Sequence, residues 1–320
     1  MSEVVETEFA IAPTELEQHV RRSWQQIPRD DDRPLSRTTT MNLVAVAQAA
    51  DEALLRGALQ RLFRSSPCLA FLVLLSPDDR PLEASFGTHV AVGRKDRRVL
   101  LERVTLRAGR GDQRRIASLI RPLLLDDLPT QFFWATAMPE DARLLFALGA
   151  LADQVVFDST LFADPEAGIA RMSTLGMPTV DLTALRTRAW RHALAEAFEH
   201  VSWRPDQAVD VTIRHGDAVG TRAAVSSLAR WLRDKLDAEV HDETAPHGHA
   251  PATEPCALSL RTGGSSIRIE HLWPSPQLRV SIELPDSCPV PYEIASPALT
   301  RGELLAMAAQ DLGVVAGRTT

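Results

Sequence analysis

Apolar residues recur along this chain at two spacings, every second position or every third and fourth, and each change of spacing marks the edge of an element. Residues 14–27 carry the helical spacing and run into a polar, proline-bearing link, "PRDDDRPLSRTTT". "MNLVAVAQ" (41–48) is a nearly continuous apolar run, the pattern of a buried strand. From about Asp51 to Arg64 the spacing turns helical, with Leu54, Leu55, Ala58, Leu59 and Leu62 on one face. Three strand candidates follow, "CLAFLVLLS", "SFGTHVAVG" and "VLLERVTLR", and Gly109 and Gly111 turn the chain into another helix.

That helix sets a puzzle. Ile116, Leu119, Ile120, Leu123 and Leu124 share a face from Arg114 to Leu125, so the spacing predicts a helix ending near Asp126. Asp126 and Asp127 would then stand at a helix C-terminus, where each acid costs roughly 0.3–1 kcal/mol against the helix dipole. Some other contact must favour them. Pro129 stops the helix and biases Leu128 toward an extended conformation.

Beyond it the order is strand ("TQFFWAT"), helix ("EDARLLFALGALA") and strand ("QVVFDS"). This is a βαβ unit, with a parallel pair and a right-handed crossover expected. It sets Trp134–Thr136 and Asp158–Ser159 at the C-terminal strand edge, where ligands gather in open α/β sheets. A helical stretch, "VDLTALRTRAWRHALAEAFEH", leads to the strand "AVDVTIRH" and the helix "GTRAAVSSLARWLRDKLDAE". Residues 241–255, polar with three prolines, read as a mobile loop. "CALSLRT" and "SSIRIEHLW" form a hairpin through Gly263 and Gly264, then "LRVSIEL", "VPYEI" and a helix over about 300–312.

The fold class expected is α/β, more closely mixed α+β. Two domains are expected, 1–200 and 201–320, each with a central mixed sheet flanked by helices. Residues 41–124 and 208–313 share an order of elements, the trace a structural duplication would leave.

Composition narrows the function. At 320 residues, 45% apolar and 24% charged, the chain has the balance of an ordinary globular protein. A net charge of −7 argues against a broad nucleic-acid surface, leaving "GRKDRR" and "GRGDQRR" as local basic patches. The acidic N-terminal stretch lacks the basic region and apolar core of a secretory signal, and no run of 18 apolar residues occurs. A cytoplasmic location without a membrane span is expected. Cys68, Cys256 and Cys288 form no C-x-x-C pair and read as three reduced thiols, a Cys256–Cys288 redox pair being the alternative.

Neither G-x-G-x-x-G nor G-x-x-x-x-G-K-[ST] nor G-x-S-x-G occurs. "GRGDQRR" and "RTGGSS" read as turns, the helix after Gly111 being the one place a phosphate would fit. His241, His247 and His249 are better taken as solvated loop residues than as metal ligands, and no cofactor is expected. Trp134 and Trp190 sit beside charged motifs. Either they fill the core with their indole N–H groups satisfied locally, or they anchor a binding surface. Arg188 and Arg191, three apart, share a helix face; they could pair with an acid such as Asp158 or hold an anion.

At these motifs the chain resembles the glucose-6-phosphate dehydrogenase assembly protein OpcA family. The carrying stretches, in the family's order, are "SRTTTMNLVAVAQ", "LIRPLLLDDLPTQFFW", "LADQVVFDS", "DLTALRTRAWRHALAEAFE", "ARWLRDKLDAE" and "LTRGELLAMAAQDL". The chain departs from the family where Phe133 precedes Trp134 in place of a second tryptophan, and near Ala184 and Leu185, which lack one. The resemblance implies a non-enzymatic protein that associates with glucose-6-phosphate dehydrogenase, promotes its active oligomer and activates it allosterically at the entry to the oxidative pentose phosphate pathway. Asp126 and Asp127 would then either bond the next loop's amides or meet a basic partner. Candidate partner- or ligand-binding positions are Asp126, Asp127, Pro129, Trp134, Asp158, Ser159, Arg188, Trp190 and Arg191. The competing reading is a small-molecule protein or enzyme that holds a sugar phosphate or nucleotide at the strand-end crevice near Trp134 and Asp158.

Overall fold

A computed structural model describes residues 5–25, 35–36, 39–63, 66–92, 98–201, 203–204, 207–245, 253–287 and 290–316. Contacts divide the chain into two units: residues 1–157, 172–180 and 300–320, and residues 158–171 and 181–299. In chain order the first half runs β1 (Val5–Ile11), α1 (Leu16–Gln25), β2 (Leu35–Ser36), β3 (Met41–Gln48), α2 (Glu52–Leu62), β4 (Cys68–Leu75), β5 (Glu83–Val92) and β6 (Arg98–Ala108). It continues with α3 (Gln113–Ile120), β7 (Thr130–Trp134), α4 (Arg143–Gly149), β8 (Gln154–Phe157), α5 (Pro165–Ser173) and β9 (Thr179–Asp181).

These strands build a mixed sheet in the order β1-β5-β6-β4-β3-β7-β8-β9, with β2 beside β6. β3 and β4 lie at its centre, parallel to each other and to their outer neighbours β7 and β6. Met41–Ala47 and all of β4 are buried, which is why their apolar runs do not alternate: a parallel strand covered on both faces has no polar side. β7 and β8 are a parallel pair around α4, the βαβ arrangement expected. β5 and β6 form an antiparallel hairpin whose far edge is closed by β1, an element the alternation Val5, Thr7, Phe9, Ile11 could have announced.

The helix after Gly111 is shorter than its apolar spacing predicts. α3 stops at Ile120 and a 3-10 turn takes Arg121–Leu123. Pro122 sits in that turn with no N–H to continue the α-helical ladder. The Asn42 side chain then captures the chain, its Oδ1 accepting from Leu125 N at 3.1 Å and its Nδ2 donating to Leu125 O at 3.0 Å. Asp126 and Asp127 therefore occupy the exposed tip of a turn closed by Leu128 N on Leu125 O, outside any helix end. The dipole penalty that made them puzzling does not apply.

The second half comprises α6 (Leu182–Arg186), α7 (Arg188–Phe198), β10 (Asp210–His215), α8 (Val219–Leu236), β11 (Glu239–Thr244), β12 (Ala257–Thr262), β13 (Ser265–His271), β14 (Gln277–Glu283), β15 (Tyr292–Ala295) and α9 (Arg301–Ala316). Its sheet has the order β11-β10-β12-β13-β14-β15, antiparallel except for β10 and β11. β12, β13 and β14 alternate buried and open positions. Their inner face packs with Trp190, Ala193, Leu194 and Ala197 of α7 and with Leu228 and Leu232 of α8. Gly263 and Gly264, at φ 54° and 82°, form the hairpin turn between β12 and β13 in the conformation that a side chain disfavours.

The grouping differs from a boundary at residue 200. α7 belongs to the second unit because its apolar face completes that sheet's core. α9 returns to the first unit and packs on α2, where a Cβ on Gly302 would lie 2.6 Å from Ala58 O. The shared order of elements is not a shared topology. β3 pairs with β4 and the sheet continues through β4 to β6, whereas β10 pairs with β11, an edge, and the sheet continues through β10 to β12. That discordance overturns a duplication.

The stretch 241–255 is also not a loop throughout. Residues 241–244 belong to β11, hydrogen-bonded parallel to β10, and Glu254 is buried. His241 lies on this edge with its Nε2 3.5 Å from Glu239 Oε1. His247 and His249 lie outside the described residues, as do Cys288 and residues 93–97 of "GRKDRR". Cys68 and Cys256 are free thiols, and burial pushes both thiol pKa values up. Among the described residues no helix is long and apolar enough to cross a membrane.

Candidate functional site

Arg191 apart, the tryptophans and charged residues singled out by the sequence fall into two classes, buried and paired, or exposed and without a partner among the described residues. Trp134, at the end of β7, is 1% exposed, stacks edge-on with Phe132 and donates its indole N–H to Ala137 O at 3.1 Å. Trp190 is fully buried in the core under the second sheet, its indole N–H 3.4 Å from Glu254 Oε2. Both fill cores and find local partners. Pro129, half-buried, offers its carbonyl to Asn42 N and fixes the start of β7.

Asp158 follows β8 and is 0% exposed. Arg186, at the end of α6, holds it in a two-pronged clamp, Nη1 to Oδ1 at 2.8 Å and Nη2 to Oδ2 at 2.9 Å. Thr160 adds its hydroxyl at 2.6 Å and its backbone N–H at 3.2 Å to Oδ1, which makes Asp158 the cap of the 3-10 turn Ser159–Leu161. Burial works against the Arg186 charge, but the hydrogen bonds and field of Asp158 outweigh it and raise the guanidinium pKa. The sequence offered Arg188 and Arg191 either as partners for an acid such as Asp158 or as holders of an anion; Arg186, one position before Thr187, is the arginine that clamps it.

Ser159 and Asp181 extend the cluster. Ser159 Oγ donates to Asp181 Oδ2 at 2.7 Å and lies 2.8 Å from Thr183 Oγ1. Asp181 also accepts the backbone N–H groups of Ser159 and Thr183, the latter making it the N-cap of α6. Burial raises the Asp181 pKa against these bonds, with the nearby Asp158 charge acting in the same direction. Glu254, in a stretch that sequence alone reads as loop, is likewise raised by burial. The cluster thus contains four residues not foreseen, Asp181, Thr183, Arg186 and Glu254. An Asp before the helical "LTALR" was a legible capping signal; the others carried none.

Arg191 is the outlier. It is half-buried, its Nη2 reaches Thr187 Oγ1 at 3.0 Å and Ser227 Oγ at 3.4 Å, and its guanidinium carbon lies 5.8 Å from the Trp231 ring centroid. With neutral partners, burial lowers its pKa, the distant field of Asp181 opposing only in part. Arg188 points to solvent from the same helix. Asp126 and Asp127 are exposed too, and neither carboxylate has a hydrogen-bond or ion-pair partner among the described residues.

Comparison with known proteins identifies the lineage of this arrangement. Two family models match, one described as the N-terminal domain of a glucose-6-phosphate dehydrogenase subunit (residues 61–174) and one as its C-terminal domain (residues 177–314). An OxPP cycle protein OpcA of Nostoc punctiforme is 29% identical over 181 residues, 54% of this chain and 38% of that protein. Its counterpart from Synechococcus elongatus is 32% identical over 156 residues, 45% of this chain and 34% of that protein. The chain thus matches little more than a third of the length of these curated relatives. Among solved structures, an oxidoreductase from Sinorhizobium meliloti aligns with a TM-score of 0.49 at 10% identity, covering 88% of this chain and 91% of its own, a likeness that carries no functional argument. The family matches cover most of the residues that build both sheets, and the chain belongs to the OpcA family.

Proposed function

We propose that this protein is a non-enzymatic partner of glucose-6-phosphate dehydrogenase, which promotes assembly of the enzyme's active oligomer and activates it allosterically in the cytoplasm, at the entry to the oxidative pentose phosphate pathway. Membership of the OpcA family supports the choice of partner. One observation favours a regulator over an enzyme: the polar cluster at the end of β8 is closed on itself. A catalytic carboxylate or hydroxyl must reach the proton or atom it attacks. Asp158 instead spends both oxygens on Arg186, and Ser159 spends its hydroxyl on buried neighbours. The groups clamp residues 158–161 to α6. The same closure disfavours a sugar phosphate or nucleotide at Asp158 and Ser159.

Asp126, Asp127 and Arg188 are the contact positions we favour, because their charges are exposed and available to a partner of opposite sign. The test is a titration of the protein into glucose-6-phosphate dehydrogenase, read by NADPH formation and by sedimentation. Activity per enzyme should rise together with the fraction of the larger oligomer, while the protein alone turns over no glucose 6-phosphate. No change in either readout, or turnover by the isolated chain, would overturn the proposal.

A further inference from the structure

Arg222, Arg230 and Arg233 all lie on α8, and at 3.6 residues per turn they fall within roughly 80° of one another around its axis. All three line one cavity of about 330 Å³. The opposite walls come from the first turn of α5, through Glu166, from the end of β10, through His215, and from β11, through Asp242. Asp234 of α8 also faces it.

Elsewhere this fold spends its arginines on carboxylates: Arg186 on Asp158, Arg103 on Glu8, Arg107 on Glu52. Here it does not. Among the described residues, none of the three guanidinium groups has a hydrogen-bond or ion-pair partner, although Glu166 and Asp234 share the cavity. Each guanidinium presents five N–H donors in a planar fork suited to phosphate oxygens. Among the described residues the carboxylates of Glu166 and Asp234 have no donor and Asp242 has one oxygen, Oδ1, without one; hydroxyl groups would supply them. His215 is buried, its Nδ1 2.6 Å from Gly216 O and its Nε2 3.4 Å from Asp242 Oδ2.

We infer that the cavity binds a small phosphorylated molecule bearing hydroxyl groups, with its phosphate on Arg230 and Arg233, one turn apart, and its hydroxyls toward Glu166 and Asp242. The volume lies in the range of small-ligand pockets. A polyanion would meet a net charge of −7. The site lies within the second unit and would bind its ligand with or without a dehydrogenase partner.

Isothermal titration calorimetry of the full chain with inorganic phosphate, glucose 6-phosphate, adenosine 5′-diphosphate and unphosphorylated glucose tests this, and distinguishes a sugar phosphate from a nucleotide. At least one organic phosphate should bind about tenfold more tightly than inorganic phosphate, and glucose should not bind. The double variant Arg230→Ala/Arg233→Ala should weaken that binding by about tenfold or more, and Arg230→Lys/Arg233→Lys, which keeps charge but loses the forks, by less. Melting curves without ligand establish that each variant is folded; Arg233→Ala, at an exposed position, serves if the double variant is not. Failure of all three phosphates to bind below roughly 10 mM, equal affinity for inorganic phosphate, or binding indifferent to these arginines would overturn the assignment.

Discussion

Replacing Arg186 with leucine removes the group that holds both oxygens of Asp158 and leaves a carboxylate with 0% exposure and only Thr160 of the bonds described above. Arg186 is itself 10% exposed, so water cannot readily take its place. Breaking a buried pair from one side costs about 3–5 kcal/mol, because the remaining charge stays desolvated. For a domain of this size about 4 °C accompanies each kcal/mol, so the melting temperature should fall by roughly 12–20 °C at neutral pH. Urea unfolding of Arg186→Leu, of Asp158→Asn and of the double variant measures the coupling. The double variant should be more stable than Arg186→Leu alone, since it no longer buries a carboxylate stripped of its guanidinium. A loss below about 1 kcal/mol for Arg186→Leu, or single losses that simply add, would refute the clamp as a strongly coupled pair.

Three further expectations concern other parts of the molecule. Burial raises the Glu254 pKa above 4.5, with the bonds from Trp190 and Ser296 and the Arg186 charge opposing in part. The folded chain therefore keeps this proton to higher pH than the unfolded one, and the group's contribution to stability falls as pH rises through that window. Glu254→Gln should match the parent protein near pH 4 and exceed it near pH 8 in melting temperature; the opposite order would refute it. Glu8 behaves in reverse: burial would raise its pKa, but the Ser85 hydroxyl and then Arg103 and Arg56 hold it at about 2. Its contribution is complete above pH 4.5 and is lost as pH falls toward 2. Glu8→Gln should flatten that acid limb, and an unchanged limb would show that β1 gains nothing from these contacts. Asp126→Asn/Asp127→Asn should leave the melting temperature within a degree or two while weakening activation of glucose-6-phosphate dehydrogenase in a salt-dependent way. Trp134→Ala is the contrast, costing about 3–5 kcal/mol of stability. Unchanged activation by the double asparagine variant would move the contact surface elsewhere.

What could be read from the sequence follows from how each element is stabilised. β3, β4 and α7 are held by apolar burial, and apolar burial writes itself into residue spacing. β11 is held by its backbone pairing to β10 while nearly all its side chains face water, so "EVHDET" resembles a loop. α5 had a legible start, Asp164 accepting from Ala167 N ahead of Pro165, although its short apolar face concealed it. The Asp158 clamp was hidden by a break. A continuous helical reading of residues 180–200 places Arg188 and Arg191 together, whereas the chain interrupts its helix at Thr187, with φ −83° and ψ 9°, and turns Arg186 inward. Polar clusters join residues far apart, 28 positions in the Asp158–Arg186 pair, and leave no periodic trace.

The return of α9 to α2 imposes an order on synthesis. Leu304, Leu305 and Ala308 are fully buried, and the close approach of Gly302 to Ala58 leaves no room for a substitute to slide into place. Residues 301–316 emerge from the ribosome after every strand of the second sheet. The first sheet, whose eight long or short strands through β8 are made before residue 158, must therefore wait for the whole second unit before α2 is covered. A nascent chain halted before Thr300 would carry a complete second sheet and an uncovered α2, a species prone to aggregation and to capture by chaperones.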